Sequence, residues 1–329
     1  MGRTLATAEN LGDKEEIVAI GAESYDGEPV EADAGLEASD PLAVFLSDPE
    51  SHLSDILYLY FRIYKKKLLW AFMQAALAKL HLDRSHTLFM ADVGASMGFD
   101  ALYLLRRLTR NFTEPLPCDR IRLSLVEGDQ ELIAGGRRTL KKALAAACVD
   151  FEYYHHPLVE DLPLQDQSQH LVICSEVVEH LEEPERLLPE LFRILRPGGF
   201  LMLTTDNSPN LLQHLKRIPV WLSGKYRRTY ARPAKESTIH LRLFWNGREY
   251  PIFGHINLKP TRHWERLCIR AGFELAAYGT YESIRRGGGS KSPLALLGYF
   301  AFGAMVYYLM PRSIGRFFGD TTALLLRRG

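Results

Sequence analysis

Between residues 86 and 208 the apolar positions fall into short blocks with changing period. The run LFMADV ends just past Asp92, the turn VGASMG follows, and Ala101, Leu102, Leu104 and Leu105 then recur at helical spacing. A second apolar run, IRLSLVE, stops on Glu127. The pattern predicts strand, tight turn, helix and strand. Gln130 to Ala147 reads as a helix, and VDFEYYHH, at 149 to 156, as a third strand. Leu171 to Cys174 is a wholly apolar strand, Pro184 to Leu195 a helix, and RPGG a turn into the strand Phe200 to Thr205. Further on, Thr261 to Ala271 is helical, Phe273 to Gly279 a strand after the Gly272 stop, and Thr322 to Arg327 the closing strand. Upstream, Leu57, Phe61, Tyr64 and Leu68 mark a helical cover over residues 54 to 82. Strands alternating with helices imply an α/β domain with a parallel sheet and helices on both faces.

Composition adds a second unit. With 47% hydrophobic residues, the chain can bury a sizeable core. Its net charge of zero hides an asymmetry: residues 1–50 carry thirteen acids against two bases. That segment is expected to be a mostly disordered acidic tail, with residues 51–329 forming the folded domain. The scattered Cys118, Cys148, Cys174 and Cys268 have no C-x-x-C spacing and read as reduced thiols in a cytoplasmic protein.

The turn after Asp92 suits a nucleotide-type ligand across the carboxyl ends of parallel strands. Gly94 and Gly98 would let the backbone approach it, and Glu127 could accept hydrogen bonds from both ribose hydroxyls. A dinucleotide turn expects G-x-G-x-x-G, whereas these glycines are four apart with an acid before them. GASMG also satisfies G-x-S-x-G with Ser96 as nucleophile, but that elbow normally follows several strands and an oxyanion segment. S-adenosylmethionine has no phosphate, so an acid can face its ammonium group without repulsion.

Asp92, Gly94, Ser96, Gly98 and Glu127, followed by Asp161-Leu162, EVVEH and LRPGG, resemble class I S-adenosylmethionine-dependent methyltransferases of the ubiquinone-biosynthesis O-methyltransferase type. Ser96 stands where the family's middle glycine is usual. The resemblance covers residues 86–208, with an echo from GHINL to Glu274. It implies a Rossmann-like sheet of seven strands, the last antiparallel, with helical insertions. It also implies cofactor contacts from Asp92, Gly94, Ser96, Gly98, Glu127, Asp161, Leu162 and Ser175. Asp161 would accept from the adenine amine and Leu162 would wall the ring.

EVVEH supplies candidates for chemistry. In a helical first turn Glu176, Glu179 and His180 would share a face. With His255 they could hold Mg²⁺, Mn²⁺ or Zn²⁺, as the E-x-x-E-H motif of metal-dependent relatives implies. Without metal, His180 or His255 would be the general base, with Glu179 beside them, or either histidine is structural.

Two insertions bear on the acceptor. The first, residues 209–258, has nine basic residues and one acid between Lys216 and Arg248, interleaved with Trp221, Tyr226, Tyr230, Phe244 and Trp245. The second, residues 290–318, contains the uncharged SPLALLGYFAFGAMVYYLMP and is expected to form helices. The first suits an anionic acceptor; the second suits an interfacial helix pair or a hydrophobic lid rather than a span. The Lys65-Lys66-Lys67 run reads as a solvated helix face or a headgroup contact. The expected activity is O-methylation of a lipid-like, envelope-glycan or other small hydroxylated acceptor, with peripheral membrane contact. The alternatives are an RNA methyltransferase and a non-catalytic scaffold that binds the cofactor.

Overall fold

The structure, a computed structural model, describes residues 63–80, 82, 87–110, 120–144, 149–158, 160–207, 239–245, 248–281 and 321–329, with 305, 309, 314, 317 and 319. The acidic segment 1–50, Cys118, Cys148 and most of the apolar stretch 292–311 lie outside these residues. In chain order the elements are α1 (Ile63–Leu77), β1 (Thr87–Val93), α2 (Phe99–Arg110), β2 (Arg120–Glu127), α3 (Gln130–Ala143), β3 (Val149–His155) and β4 (Gln169–Ser175). There follow α4 (Pro184–Ile194), β5 (Leu195–Asp206), β6 (Ile239–Trp245), β7 (Arg248–Phe253), α5 (Thr261–Arg270), β8 (Phe273–Tyr281) and β9 (Thr321–Arg328).

Seven strands form one sheet in the order β3-β2-β1-β4-β5-β9-β8. β3, β2, β1, β4 and β5 run parallel, and β9 is antiparallel to both neighbours, β5 and β8. This is the seven-stranded sheet with an antiparallel last strand that the resemblance implied. Its central strands are covered on both sides, which is why they are continuous apolar runs. Successive residues feed opposite cores, as the period of two requires. Leu88 and Met90, Leu171 and Ile173, Phe200 and Met202, and Ala323 and Leu325 enter the core beneath α1, α2 and α3. Ala91 and Val93, Val172 and Cys174, Leu201 and Leu203, and Leu324 and Leu326 enter the core beneath α4 and α5.

Two expectations change. RPGG does not interrupt the chain as a turn: β5 begins at Leu195, where it pairs with Gln169, and a register shift absorbs the glycines. α3 runs to Ala143 with Leu144 as its C-cap, and the remainder of the expected helix, to Ala147, lies outside the described residues. Part of the basic insertion, expected to be helical, is the antiparallel hairpin β6-β7; its residues HLRLFW and REYPIF are rich in the aromatic and branched types that favour strands.

The lysine run is also corrected. In α1, Leu68, Leu69, Phe72, Met73 and Ala76 are buried, and Lys65 occupies the same face with 1% of its surface exposed. Its spacing to Leu68, Leu69 and Phe72 is three, four and seven, which puts it in the core-facing register.

Packing at α3 explains two adjacent glycines inside a helix. A Cβ at Gly136 would lie 2.1 Å from the Tyr153 hydroxyl oxygen. That hydroxyl is buried without a hydrogen-bond partner among the described residues. Tyr153→Phe should therefore be neutral or stabilising, because it removes an unsatisfied buried polar group. Gly136→Ala should cost about 1–3 kcal/mol through overpacking. The cost should shrink in the Tyr153→Phe background; denaturant unfolding of the four proteins in a double-mutant cycle measures the coupling.

Candidate active site

Strand order reverses between β2-β1 and β4-β5, so the connections leaving the carboxyl ends of β1 and β4 diverge and leave a crevice. The crevice is lined first by the β1-α2 loop. Gly94 and Gly98 take positive φ of 76° and 78°, and so does Ser96 at 50°. A Cβ at Gly94 would lie 2.2 Å from Val177 Cγ2, so this glycine is needed for the approach of two loops as well as for any ligand. Ser96, at the position where a third glycine is usual, tolerates the left-handed conformation because Glu127 fixes it. Glu127 Oε2 accepts from Ser96 N at 2.6 Å, while Oε1 accepts from Gly128 N at 2.7 Å and Asp129 N at 3.0 Å. The sequence assigned Glu127 to a ribose; the structure adds the task of holding the loop. A carboxylate has about four acceptor positions, so one remains for a hydroxyl. Burial raises the Glu127 pKa, opposed by these three N–H groups.

Beneath the loop lies a buried charge cluster. Asp92 is 2% exposed and accepts from the backbone N–H of Ala101 in α2. Desolvation, helped by the charges of Asp100 and Glu127, pushes its pKa up to about 8 despite Lys65. Asp92 therefore props the start of α2 and is not presented openly to a cationic ligand. Lys65 Nζ reaches in from α1 to Asp100 Oδ2 at 2.7 Å, Ser175 Oγ at 3.1 Å and Glu176 Oε1 at 3.7 Å. Ser175 Oγ is in turn 2.9 Å from Thr204 Oγ1. Lys65 and Asp100 were missed in the sequence. Lys65's place on the apolar stripe of α1 was the available signal; nothing comparable marked Asp100.

Residues 176–180 form turns rather than a helix, and Glu176 has a positive φ of 57°. Glu176 therefore does not share a face with Glu179 and His180; its carboxylate turns to Lys65. Glu179 is fully buried, and its Oε2 accepts from the Thr205 hydroxyl at 2.9 Å. Burial first, then the charges of Glu176 and Asp206, push its pKa up to about 8. The Glu179 carbonyl accepts from both Ile256 N and Asn257 N at 3.0 Å, and Asn257 Nδ2 donates to Leu181 O. These bonds staple GHINL onto EVVEH. His255 consequently packs edge-on against His180, ring centroids 4.6 Å apart, with its Nδ1 2.5 Å from Asp206 Oδ2. Asp206, at the end of β5 and 5% exposed, is a further residue the sequence reading did not single out.

Of the four proposed metal ligands, Glu179, His180 and His255 bring one ligand atom each within 4.8 Å of one another. Glu176 stands apart. Glu179 Oε1 is buried without a hydrogen-bond partner among the described residues. An orphaned carboxylate oxygen beside two imidazoles fits a divalent cation chemically. In the β3-β4 connection Asp161 is exposed with φ 52°, and Leu162 is buried in the core that contains Val93, Val126 and Val177.

Residues 92–203 match a family model described as "Methyltransferase domain". A protein of Mycolicibacterium smegmatis named "Probable S-adenosylmethionine-dependent methyltransferase" is 40% identical over 52 residues, 16% of this chain and 20% of that protein. The chain thus spans about a fifth of that relative's length. The CurJ carbon methyltransferase superposes with a TM-score of 0.48 at 13% identity, over 87% of this chain and 61% of that one. An S-adenosylmethionine-dependent methyltransferase from Mesorhizobium loti gives a TM-score of 0.41 at 13% identity, over 78% and 96% of the two chains.

The buried carboxyl of Asp92 sets a pH dependence. Its folded pKa, about 8, lies above the ordinary 3.8, so the folded state holds its proton more tightly than the unfolded state. Its contribution to stability is therefore full below pH 3.8 and declines as pH rises to about 8. Asp92→Asn, which has no proton to lose, should flatten that decline and leave the share due to Glu179. Denaturant unfolding of both proteins across this range checks it; parallel curves would contradict a buried, protonated Asp92.

Proposed function

We infer that this protein, whose residues 92–203 form a domain of the S-adenosylmethionine-dependent methyltransferase family, methylates a hydroxyl oxygen of a lipid-like or glycan acceptor. Glu127 would hold the ribose, and Asp161 with Leu162 the adenine. Asp100 and Glu176, the less buried members of the Lys65 cluster, would face the ammonium group of the cofactor's amino-acid end. Bound there, S-adenosylmethionine supplies a methyl group activated by its sulfonium.

The observation that carries the reading is the Asp206–His255 pair. Methyl transfer needs an aligned lone pair, and a hydroxyl needs a base to take its proton. A carboxylate on Nδ1 fixes the tautomer and orientation of His255 and makes Nε2 the nitrogen that takes a proton. Asp206 is the positioning residue and His255 the base, with His180 limiting the swing of its ring. An amine acceptor would have less use for such a pair.

The acceptor class rests on the insertions. The first is basic and aromatic. In the second, Met305, Leu309, Ile314 and Phe317 are all exposed, Leu309 to 78%. Exposed apolar side chains among arginines suit peripheral contact with an anionic bilayer at its cytoplasmic face. Among the described residues, no helix is long and apolar enough to cross a membrane.

A second reading is favoured by the orphaned Glu179 Oε1. Glu179, His180 and His255 would then hold a divalent cation, whose chemistry is to acidify the acceptor hydroxyl as a Lewis acid.

Calorimetry of the purified protein with S-adenosylhomocysteine should show binding, and Glu127→Ala should abolish it. His255→Ala should lower methyl transfer to a phospholipid-linked acceptor by about 10²–10⁴-fold with cofactor affinity retained. Asp206→Asn should lower it in the same direction. Exhaustive chelation should leave the wild-type rate unchanged; loss restored by Mg²⁺, Mn²⁺ or Zn²⁺ would favour the metal reading. Methylation of RNA with steep salt dependence, and none of lipid-linked acceptors, would overturn the acceptor class.

A further inference from the structure

The connection between β3 and β4 has no regular secondary structure from 160 to 168, and on the adenosyl reading it carries Asp161 and Leu162 to the crevice. Its position is set from one side by α4. Arg193 Nη2 donates to the Leu162 carbonyl at 3.0 Å, and Glu190 Oε2 accepts from Leu162 N at 2.8 Å. Both main-chain groups of Leu162 are therefore held by one pair of side chains. The pair is itself bidentate: Arg193 Nε to Glu190 Oε1 at 3.0 Å and Nη2 to Oε2 at 2.7 Å. Arg193 Nη1 continues along the loop to Leu164 O at 2.9 Å and Asp166 Oδ1 at 2.6 Å. The loop returns the contact, because Gln167 N donates to the Arg193 carbonyl and Ser168 N to that of Ile194, both at 2.9 Å.

A planar guanidinium with donors in a fixed fork is suited to this arrangement, and lysine is not. It reads two carbonyls and two carboxylates at once, so the loop has one position relative to α4. The consequence falls on Asp161, one residue before the clamp. Its left-handed backbone, φ 52°, directs the chain abruptly, so a shift of Leu162 would move the Asp161 carboxylate with it. Electrostatics agree: the Glu190 pKa is lowered, mainly by Arg193 and Leu162 N–H against its burial, and that of Arg193 is raised by Glu190.

We propose that Arg193, with Glu190, is a positioning residue for base selectivity: it holds Asp161-Leu162 where the exocyclic group of a bound purine is read. The proposal rests on the adenosyl reading above. Adenine offers an amine donor to the Asp161 carboxylate, whereas hypoxanthine offers a carbonyl oxygen, which a carboxylate repels. Hypoxanthine, which replaces that amine by a carbonyl and carries a hydrogen on N1, is therefore the base of the probe.

Calorimetry would compare S-adenosylhomocysteine with S-inosylhomocysteine on the full chain. The wild type should prefer the adenosyl compound by about 10–100-fold, as expected for one hydrogen bond to a charged acceptor. Arg193→Met should reduce that preference to within about threefold, chiefly by weakening the adenosyl compound. Arg193→Lys and Glu190→Gln should fall between and serve where Arg193→Met does not fold. Arg120→Met, which breaks an exposed pair with Asp150 at the amino ends of β2 and β3, away from this loop, should keep the full preference. Equal weakening of both compounds in the Arg193 variants would indicate a merely structural role and overturn the proposal. So would a wild type that binds both compounds equally, or an undiminished preference in folded Arg193→Met. A wild type that binds neither compound would instead bring down the adenosyl reading itself, and this assignment with it.

Discussion

The crevice depends on a single carboxylate. Glu127, at the carboxyl end of β2, accepts from Ser96 N of the neighbouring loop and from Gly128 N and Asp129 N of its own. These bonds tie together the loops leaving two parallel strands, which have no ladder beyond their ends to hold them. Without the bond to Ser96, a non-glycine residue at φ 50° would have nothing to offset its strain. The loop needs that conformation to turn from β1 into α2 within the five residues Gly94 to Gly98. The proposed ligand contact and the loop geometry therefore draw on the same side chain, and its near-complete burial keeps the bonds out of competition with water.

A second constraint is charge. The cleft edge buries Asp92, Lys65 and Glu179, with the half-buried Asp100 and Glu176 at their margin. Lys65 compensates Asp100, whose pKa is lowered by that neighbour against its own desolvation. Desolvation outweighs Lys65 at Asp92 and the Thr205 hydroxyl at Glu179, and both move up to about 8, which favours the neutral carboxyl. A protein that keeps uncompensated carboxyls at the ends of its central strands accepts a cost in stability, and such groups cluster at sites of function. The two differ in kind. Asp92 is satisfied by the helix it supports, while Glu179 keeps one oxygen without a protein partner among the described residues.

The sheet was legible because its cause is local. Unbroken apolar runs along Leu171–Cys174 and Leu201–Leu203, helical spacing in α2, and the glycine stop before β8 each act within a few residues. The motifs placed Asp92, Gly94, Ser96, Gly98, Glu127 and Ser175 on one edge for the same reason. Where the reading departed, a non-local contact had intervened. Glu176 left the face of Glu179 because Lys65, 111 positions earlier in the chain, lies beside it. The segment after β4 did not become helical, and so the spacing of EVVEH did not translate into a shared face.

What the sequence determined by itself was the order of strands and helices in the sheet, the turn after β1, and which residues are candidates for an adenosyl group. Periodicity and backbone preference suffice for these. Only the tertiary structure decided which charges meet. It brought His255 beside His180 and Asp206, through backbone bonds from Ile256 and Asn257 to Glu179. It also set Leu162 in the grip of Arg193 and Glu190, 31 and 28 positions further along the chain. Such pairings depend on how helices seat against the sheet. That seating is fixed by the packing of two cores, and packing leaves no repeating signature in the order of residues.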